Sequence, residues 1–157
     1  MRVYDVTMAL SHRTPVYTEH DRLAVTFTAR IDRGDPYTAS YIAMGSHTGT
    51  HVDAPWHFLA RGKKLPELGL EAFIGPAYVA EVRGARCVTV RDLQAAGLPP
   101  GVRRLLLKTD NSERGPGRAF RQDYSYLDGA AAAWLVRRGV KLVGTDYLSI
   151  DPPLGPD

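Results

Sequence analysis

The sequence predicts an α/β fold, a mixed β-sheet with flanking helices, in a single domain spanning residues 1–157. Three observations carry that reading. The first third alternates apolar and polar residues at the period of antiparallel strands. The second half contains a strand, a helix and a second strand in succession. A composition of 44% hydrophobic and 24% charged residues is that of a chain able to bury one core.

In chain order, residues 23–29 (Leu-Ala-Val-Thr-Phe-Thr-Ala) and 37–44 read as a pair of strands, with Asp32-Arg33-Gly34-Asp35-Pro36 as the turn between them. Gly75-Pro76 introduces another strand over 77–82. Thr89 with Asp92 three positions on has the form of a capping box, so a short helix begins there and stops at Gly97 and Pro99. Residues 105–109 form a short apolar strand, and 111–123 a polar, glycine-rich loop that is either functional or mobile. Ser125 and Asp128 are spaced to open a second helix, with Leu127, Ala131, Trp134 and Leu135 on one side and Gly139 at its end. Residues 140–144 then make a buried strand, parallel to the one before the helix through a right-handed crossover.

Charge and composition remove several classes of function. The longest apolar run, Ala130 to Val136, is seven residues, against the ~20 that cross a bilayer as a helix. Met1 to Val6 enters strand-like alternation without a basic and apolar leader, so no secretory signal is expected. Cys87 is the lone cysteine, which excludes an internal disulfide and fits a reducing, cytoplasmic compartment. The formal charge of +3 is small and no basic run exceeds two residues, so no nucleic-acid partner is expected.

Three of the five histidines lie within eleven residues, His47-Thr-Gly-Thr-His51-Val-Asp53-Ala-Pro-Trp-His57. His47, His51 and Asp53 offer two imidazoles and a carboxylate, the composition of a divalent-metal site with an open coordination position. An extended chain would separate residues 47 and 57 by ~33 Å, too far for one coordination shell. The segment must therefore bend, and Gly49 and Pro55 stand where it can. Thr48, Gly49 and Thr50 disfavour a regular helix, so a strand end turning over the metal is expected, with His51 and Asp53 as close neighbours. Taken singly, His12 and His20 read as surface or loop residues.

This stretch resembles the His-x-Gly-Thr-His-x-Asp-x-Pro-x-His signature of the cyclase-like metal-dependent hydrolases, which include bacterial kynurenine formamidases and isatin hydrolases. Asp5-Val6-Thr7 with Pro15-Val16-Tyr17, Ile74-Gly75-Pro76-Ala77, and Asp146 to Asp151 resemble further segments of that family. The resemblance implies a swivelling β/β/α fold, a homo-oligomer (dimer or tetramer), and a divalent metal, zinc or manganese. By position, His47, His51 and Asp53 would be its ligands, with Asp53 able to bridge two ions, and His57 would be the general acid/base. The implied reaction is hydrolysis of a small-molecule amide, an aryl formamide or a small cyclic amide. Trp56, Phe58 and Tyr147 are candidate apolar walls for such a substrate, with Arg61, Lys63 and Lys64 to attract a carboxylate.

The chain departs from the family pattern in two places. Residues 15–21 lack the proline-glycine-aspartate turn, and no histidine follows His57, whereas the family takes a later His and a Glu or Gln to its metal. The expectation is therefore one weakly held metal per chain, with Asp146 and Asp151 as supporting carboxylates rather than ligands. The alternative reading is a metal- or ligand-binding module that keeps half of the family's site and little or no turnover.

Overall fold

A computed structural model describes residues 2–115, 117 and 119–153. The chain forms two compact units, one comprising Met1–Val52 and Gly117–Phe120, the other Asp53–Pro116 and Arg121–Asp157.

In the first unit, β1 (Ala24–Ala29) and β2 (Ala39–Ala43) form an antiparallel two-stranded sheet in which Val25 pairs with Ile42 and Thr26 with Tyr41. The connection is a single 3-10 turn, Ile31–Arg33, closed by Gly34 at φ 93°, a left-handed conformation that favours glycine. The Asp35 carboxylate accepts the Arg30 amide, which shortens the loop further. The buried residues of this unit lie outside the hairpin, at Thr14, Pro15, Val16 and Thr48.

The second unit holds the hydrophobic core. Its main sheet has the order β3-β5-β7, all parallel, with β3 at Tyr78–Glu81, β5 at Arg104–Lys108 and β7 at Leu142–Gly144. A second parallel pair joins β4 (Cys87–Val88) to β6 (Tyr126–Leu127). Parallel and antiparallel pairing thus both occur, as the α/β reading requires, but in separate sheets. Ala80, Leu105 and Leu107 point from β3 and β5 into a cluster with Val88, Leu93, Leu127, Ala131 and Leu135.

Helix α1 (Val90–Ala95) starts as the sequence predicts, with Thr89 as N-cap and Asp92 returning its carboxylate to the Thr89 amide at 2.8 Å. Helix α3 (Gly129–Arg137) starts later than the Ser125 signal suggests. Asp128 is its N-cap position, Tyr126 and Leu127 are strand β6, and the Ser125 amide donates instead to the Asn111 side chain at 2.9 Å. The capping pattern was outweighed there by parallel pairing with Cys87 and Val88. The polar stretch after β5 likewise begins with a helical turn, α2 (Asn111–Arg114). Of that stretch, residues 116 and 118 lie outside the described residues, as do 154–157 at the proline-rich end.

Asp146, just beyond β7, ties the ends of the sheet together. Its carboxylate accepts the Thr109 amide (2.7 Å), the Thr109 hydroxyl (2.8 Å), the Ser112 amide (3.1 Å) and the Ser112 hydroxyl (2.5 Å). Partial burial pushes the carboxyl up, but the bonds from the Ser112 hydroxyl and the Thr109 amide and hydroxyl outweigh it and hold Asp146 below the ordinary carboxylate range. A carboxylate whose folded pKa is depressed adds stability above its unfolded value and loses it as pH falls through the folded value. Asp146→Asn is therefore expected to destabilise the fold by about 1–3 kcal/mol at neutral pH. It should also flatten the loss of stability that the parent shows below about pH 4, and urea titrations of both proteins between neutral and acid pH measure this.

Candidate metal centre

The segment from Gly45 to Asp53 carries no regular helix or strand, and what shapes it is a set of local bonds. The Thr48 hydroxyl donates to the Asp21 carbonyl at 2.6 Å, and the Gly45 amide donates to the same carbonyl at 3.2 Å. On the other side the Met8 amide donates to the Thr50 hydroxyl oxygen at 3.0 Å. Between these pins Gly49 has φ 72°, and a Cβ there would come within 2.5 Å of the Leu10 side chain. The left-handed backbone favours glycine at this bend, and any Cβ there would also push the tip of the Leu10 side chain aside.

The bend brings His47 and His51 together without a helix. Their rings meet edge to face with centroids 5.0 Å apart, and His47 Nδ1 lies 3.1 Å from His51 Nε2. His51 Nδ1 is 2.8 Å from the Gly49 carbonyl oxygen. A carbonyl only accepts, so Nδ1 carries the hydrogen and Nε2 keeps a lone pair directed at His47. Holding a histidine by Nδ1–H to a backbone carbonyl is the usual way of orienting an imidazole that ligates through Nε2.

Asp53, two residues on, completes the group: one ligand atom from each of His47, His51 and Asp53 lies within 4.8 Å of the others. The histidines are half-buried and Asp53 is exposed. Two nitrogens each ~2.1 Å from one ion lie roughly 3.0–3.4 Å apart, and the observed 3.1 Å falls in that range. The residues fit a divalent metal in both spacing and donor chemistry.

His57 stands apart from that group. It ends a 3-10 turn, Pro55–His57, is exposed, and has the Phe58 ring 4.3 Å from its own. Gly62 closes the following loop against the Pro55 backbone, where a Cβ would come within 2.5 Å of the Pro55 carbonyl carbon. The Trp56 amide donates to the Lys63 carbonyl at 3.1 Å and the Lys64 ammonium covers the Trp56 ring at 4.7 Å. Trp56, Phe58, Arg61, Lys63 and Lys64 therefore occupy one short, largely exposed stretch.

Tyr147, a candidate substrate wall in the sequence, is half-buried. Its ring stacks on Tyr124 at 4.7 Å, and its hydroxyl accepts the Arg121 amide and donates to the Arg121 carbonyl. These contacts tie the ring and hydroxyl to Tyr124 and the Arg121 backbone. His12 and His20 are exposed, as expected, and Asp146 bonds Thr109 and Ser112 as a structural carboxylate. The sequence reading missed two supports of the site, the buried Thr48 and the Leu10 contact at Gly49. Both depend on contacts with residues some 27 to 39 positions away.

Comparison with known proteins identifies the family of the chain. Residues 4–152 match the family described as "Putative cyclase". The chain is 40% identical over 148 residues to a kynurenine formamidase of Bacillus cytotoxicus, covering 94% of this chain and 69% of that one. It is 37% identical over 111 residues to a kynurenine formamidase of Bacillus cereus, covering 71% and 52% respectively. A solved structure described as a potential metal-dependent hydrolase with cyclase activity superposes with a TM-score of 0.77 at 28% identity, over 98% of this chain and 71% of that chain. The chain thus spans between half and about seven-tenths of the relatives it matches. With a family match across nearly its whole length, the chain belongs to the cyclase family.

Proposed function

We propose that this chain is a metal-dependent amide hydrolase acting on an aryl formamide, with a small cyclic amide as the related alternative substrate. The observation that carries the reading is the convergence of His47, His51 and Asp53 in a chain 40% identical to a kynurenine formamidase. The ion would be zinc or manganese, and His47, His51 and Asp53 would hold it. A divalent cation in that position supplies Lewis acidity, which polarises a carbonyl and makes water acidic enough to attack at neutral pH.

The protein's own groups do the rest. The Gly49 carbonyl holds His51 in one tautomer, so no ring rotation has to be arrested when an ion enters. His57 is the proton carrier, since imidazole is the side chain that both gains and loses a proton near neutrality and a departing amine needs one. The exposed Trp56 and Phe58 supply apolar contact for an aromatic ring and the nearby Arg61, Lys63 and Lys64 attract a carboxylate. In this reading residues 1–157 work as one catalytic domain in a cytoplasmic homo-oligomer, dimer or tetramer. Among the described residues no helix is long and apolar enough to cross a membrane.

Three outcomes test the proposal. His51→Ala is expected to reduce metal content by elemental analysis from about one equivalent to background, because a two-donor remnant holds a divalent ion poorly. His57→Ala should keep its metal and lose roughly 10²–10⁴-fold in rate; loss of metal together with rate would make it a ligand. With zinc or manganese added, the purified chain should release formate from N-formylkynurenine. Stoichiometric metal with no formate release would overturn the substrate assignment while leaving the metal site standing.

A further inference from the structure

His57 is exposed, so its backbone is placed by the loop that carries it rather than by burial, and that loop closes on itself. The His57 amide donates to the Ala54 carbonyl at 2.8 Å, and the Phe58 and Leu59 amides both donate to the Pro55 carbonyl, at 3.3 and 2.9 Å. The Gly62 amide donates to the Leu59 carbonyl at 2.7 Å, and at the exit the Trp56 amide donates to the Lys63 carbonyl at 3.1 Å. The peptide joining Pro55 to Trp56 is therefore the hub of the loop: its oxygen accepts two of these bonds and its N–H makes a third.

Gly62 lies directly against that peptide. A Cβ at this position would stand 2.5 Å from the Pro55 carbonyl carbon, 2.6 Å from its oxygen and 2.7 Å from the Trp56 nitrogen. All three are backbone atoms, so no side-chain rotation makes room. Gly62 does not share the positive φ of Gly49; space, not backbone conformation, excludes a side chain here. Non-bonded carbons pack at about 3.5–4.0 Å, so a methyl group at 62 has to push the Pro55–Trp56 peptide by roughly 1 Å. The exit of the loop resists giving way instead. The Lys64 ammonium covers the Trp56 ring at 4.7 Å, and the Lys64 amide is tied to the Glu67 carboxylate at 2.7 Å. The ring of Pro55 fixes its own φ, so the displacement passes forward to Trp56 and His57.

We infer that Gly62 is a positioning residue for His57: its bare α-carbon lets the loop close against the Pro55–Trp56 peptide, and that closure sets where the imidazole stands. The inference rests on the reading of His57 as the proton carrier. A reacting group misplaced by ~1 Å loses on the order of 10²-fold in rate. His47 and His51 are held through the Asp21 carbonyl and the Met8 amide, bonds that this loop does not share. Gly62 thus governs proton transfer and not metal binding.

The test uses the zinc-loaded 157-residue chain with N-formylkynurenine. Gly62→Ala should lower kcat by about 10–100-fold, change KM by less than about threefold, and leave the zinc content unchanged by elemental analysis. In a His57→Ala background the same substitution should lower kcat by less than about threefold, since no imidazole is left to misplace. Losses that multiply, or loss of zinc, would make Gly62 a general support of the fold and overturn the inference. Wild-type rate in Gly62→Ala beside an impaired His57→Ala would overturn it as well. Wild-type rate in His57→Ala would overturn the proton-carrier reading and the positioning role with it. The NMR signal of the His57 ring, which lies 4.3 Å from the Phe58 ring and feels its ring current, reads position without turnover. Gly62→Ala should move that signal and leave those of His47 and His51 in place; a His57 signal that stays, or all three moving together, overturns the inference. This readout decides alone if the wild type releases no formate. Should Gly62→Ala not fold by circular dichroism, hydrogen exchange on the wild type decides: slow exchange at the amides of Trp56, Leu59 and Gly62 supports the closed loop, and exchange at the free-peptide rate overturns it.

Discussion

The hydrogen bond between His51 Nδ1 and the Gly49 carbonyl is the constraint on which the candidate centre rests. It requires a bend tight enough to return a carbonyl to a side chain two residues on. That bend needs the left-handed backbone of Gly49, against which the tip of the Leu10 side chain packs. Once the bond is made, the tautomer of His51 is set and its remaining nitrogen faces His47. Asp53, two residues on, brings a carboxylate oxygen within 4.8 Å of both rings' ligand atoms. The ligand group is therefore assembled by local geometry over seven residues, and Met8 and Asp21 hold its histidine-bearing stretch in place.

The second unit solves a different problem. Parallel strands must be buried and joined through crossovers, and Ala80, Leu105, Leu107, Ala131 and Leu135 supply the covered surface that makes this favourable. The polar groups at the strand ends are then satisfied by a few side chains rather than by water. Asp146 accepts bonds from both Thr109 and Ser112, and Asn111 trades two bonds with the Ser125 backbone across the neck of the intervening loop. Buried polar groups of this kind are costly when unpaired, so each ties two segments into one arrangement.

Much of this was legible in the linear chain. Periodicity of two located β1 and β2, the Gly75-Pro76 punctuation β3 and a short apolar run β5, each to within a residue or two, and the Thr89–Asp92 capping box located α1 at its first residue, because these signals act over distances of a few residues. The clustering of His47, His51 and Asp53 was visible for the same reason: all three ligand candidates lie on one short stretch. The features that the linear chain did not show involve partners remote in sequence. Ser125 has the spacing of a cap, yet Asn111 claims its amide and β4 claims the residues after it. Tyr147 has the chemistry of a pocket wall, and its hydroxyl bonds the Arg121 backbone.

By itself, then, the sequence determined the α/β class, the order of the main elements, the residue types that offer metal donors and the glycine that lets them converge. These follow from side-chain chemistry and local backbone sterics, which do not depend on distant partners. The tertiary structure alone decided which nitrogen of each histidine faces the other, that Asp146 serves as a structural anchor, and that the Tyr147 hydroxyl bonds the Arg121 backbone. Those outcomes are set by which groups reach one another across tens of residues, where competition for buried hydrogen bonds and apolar contact settles each position.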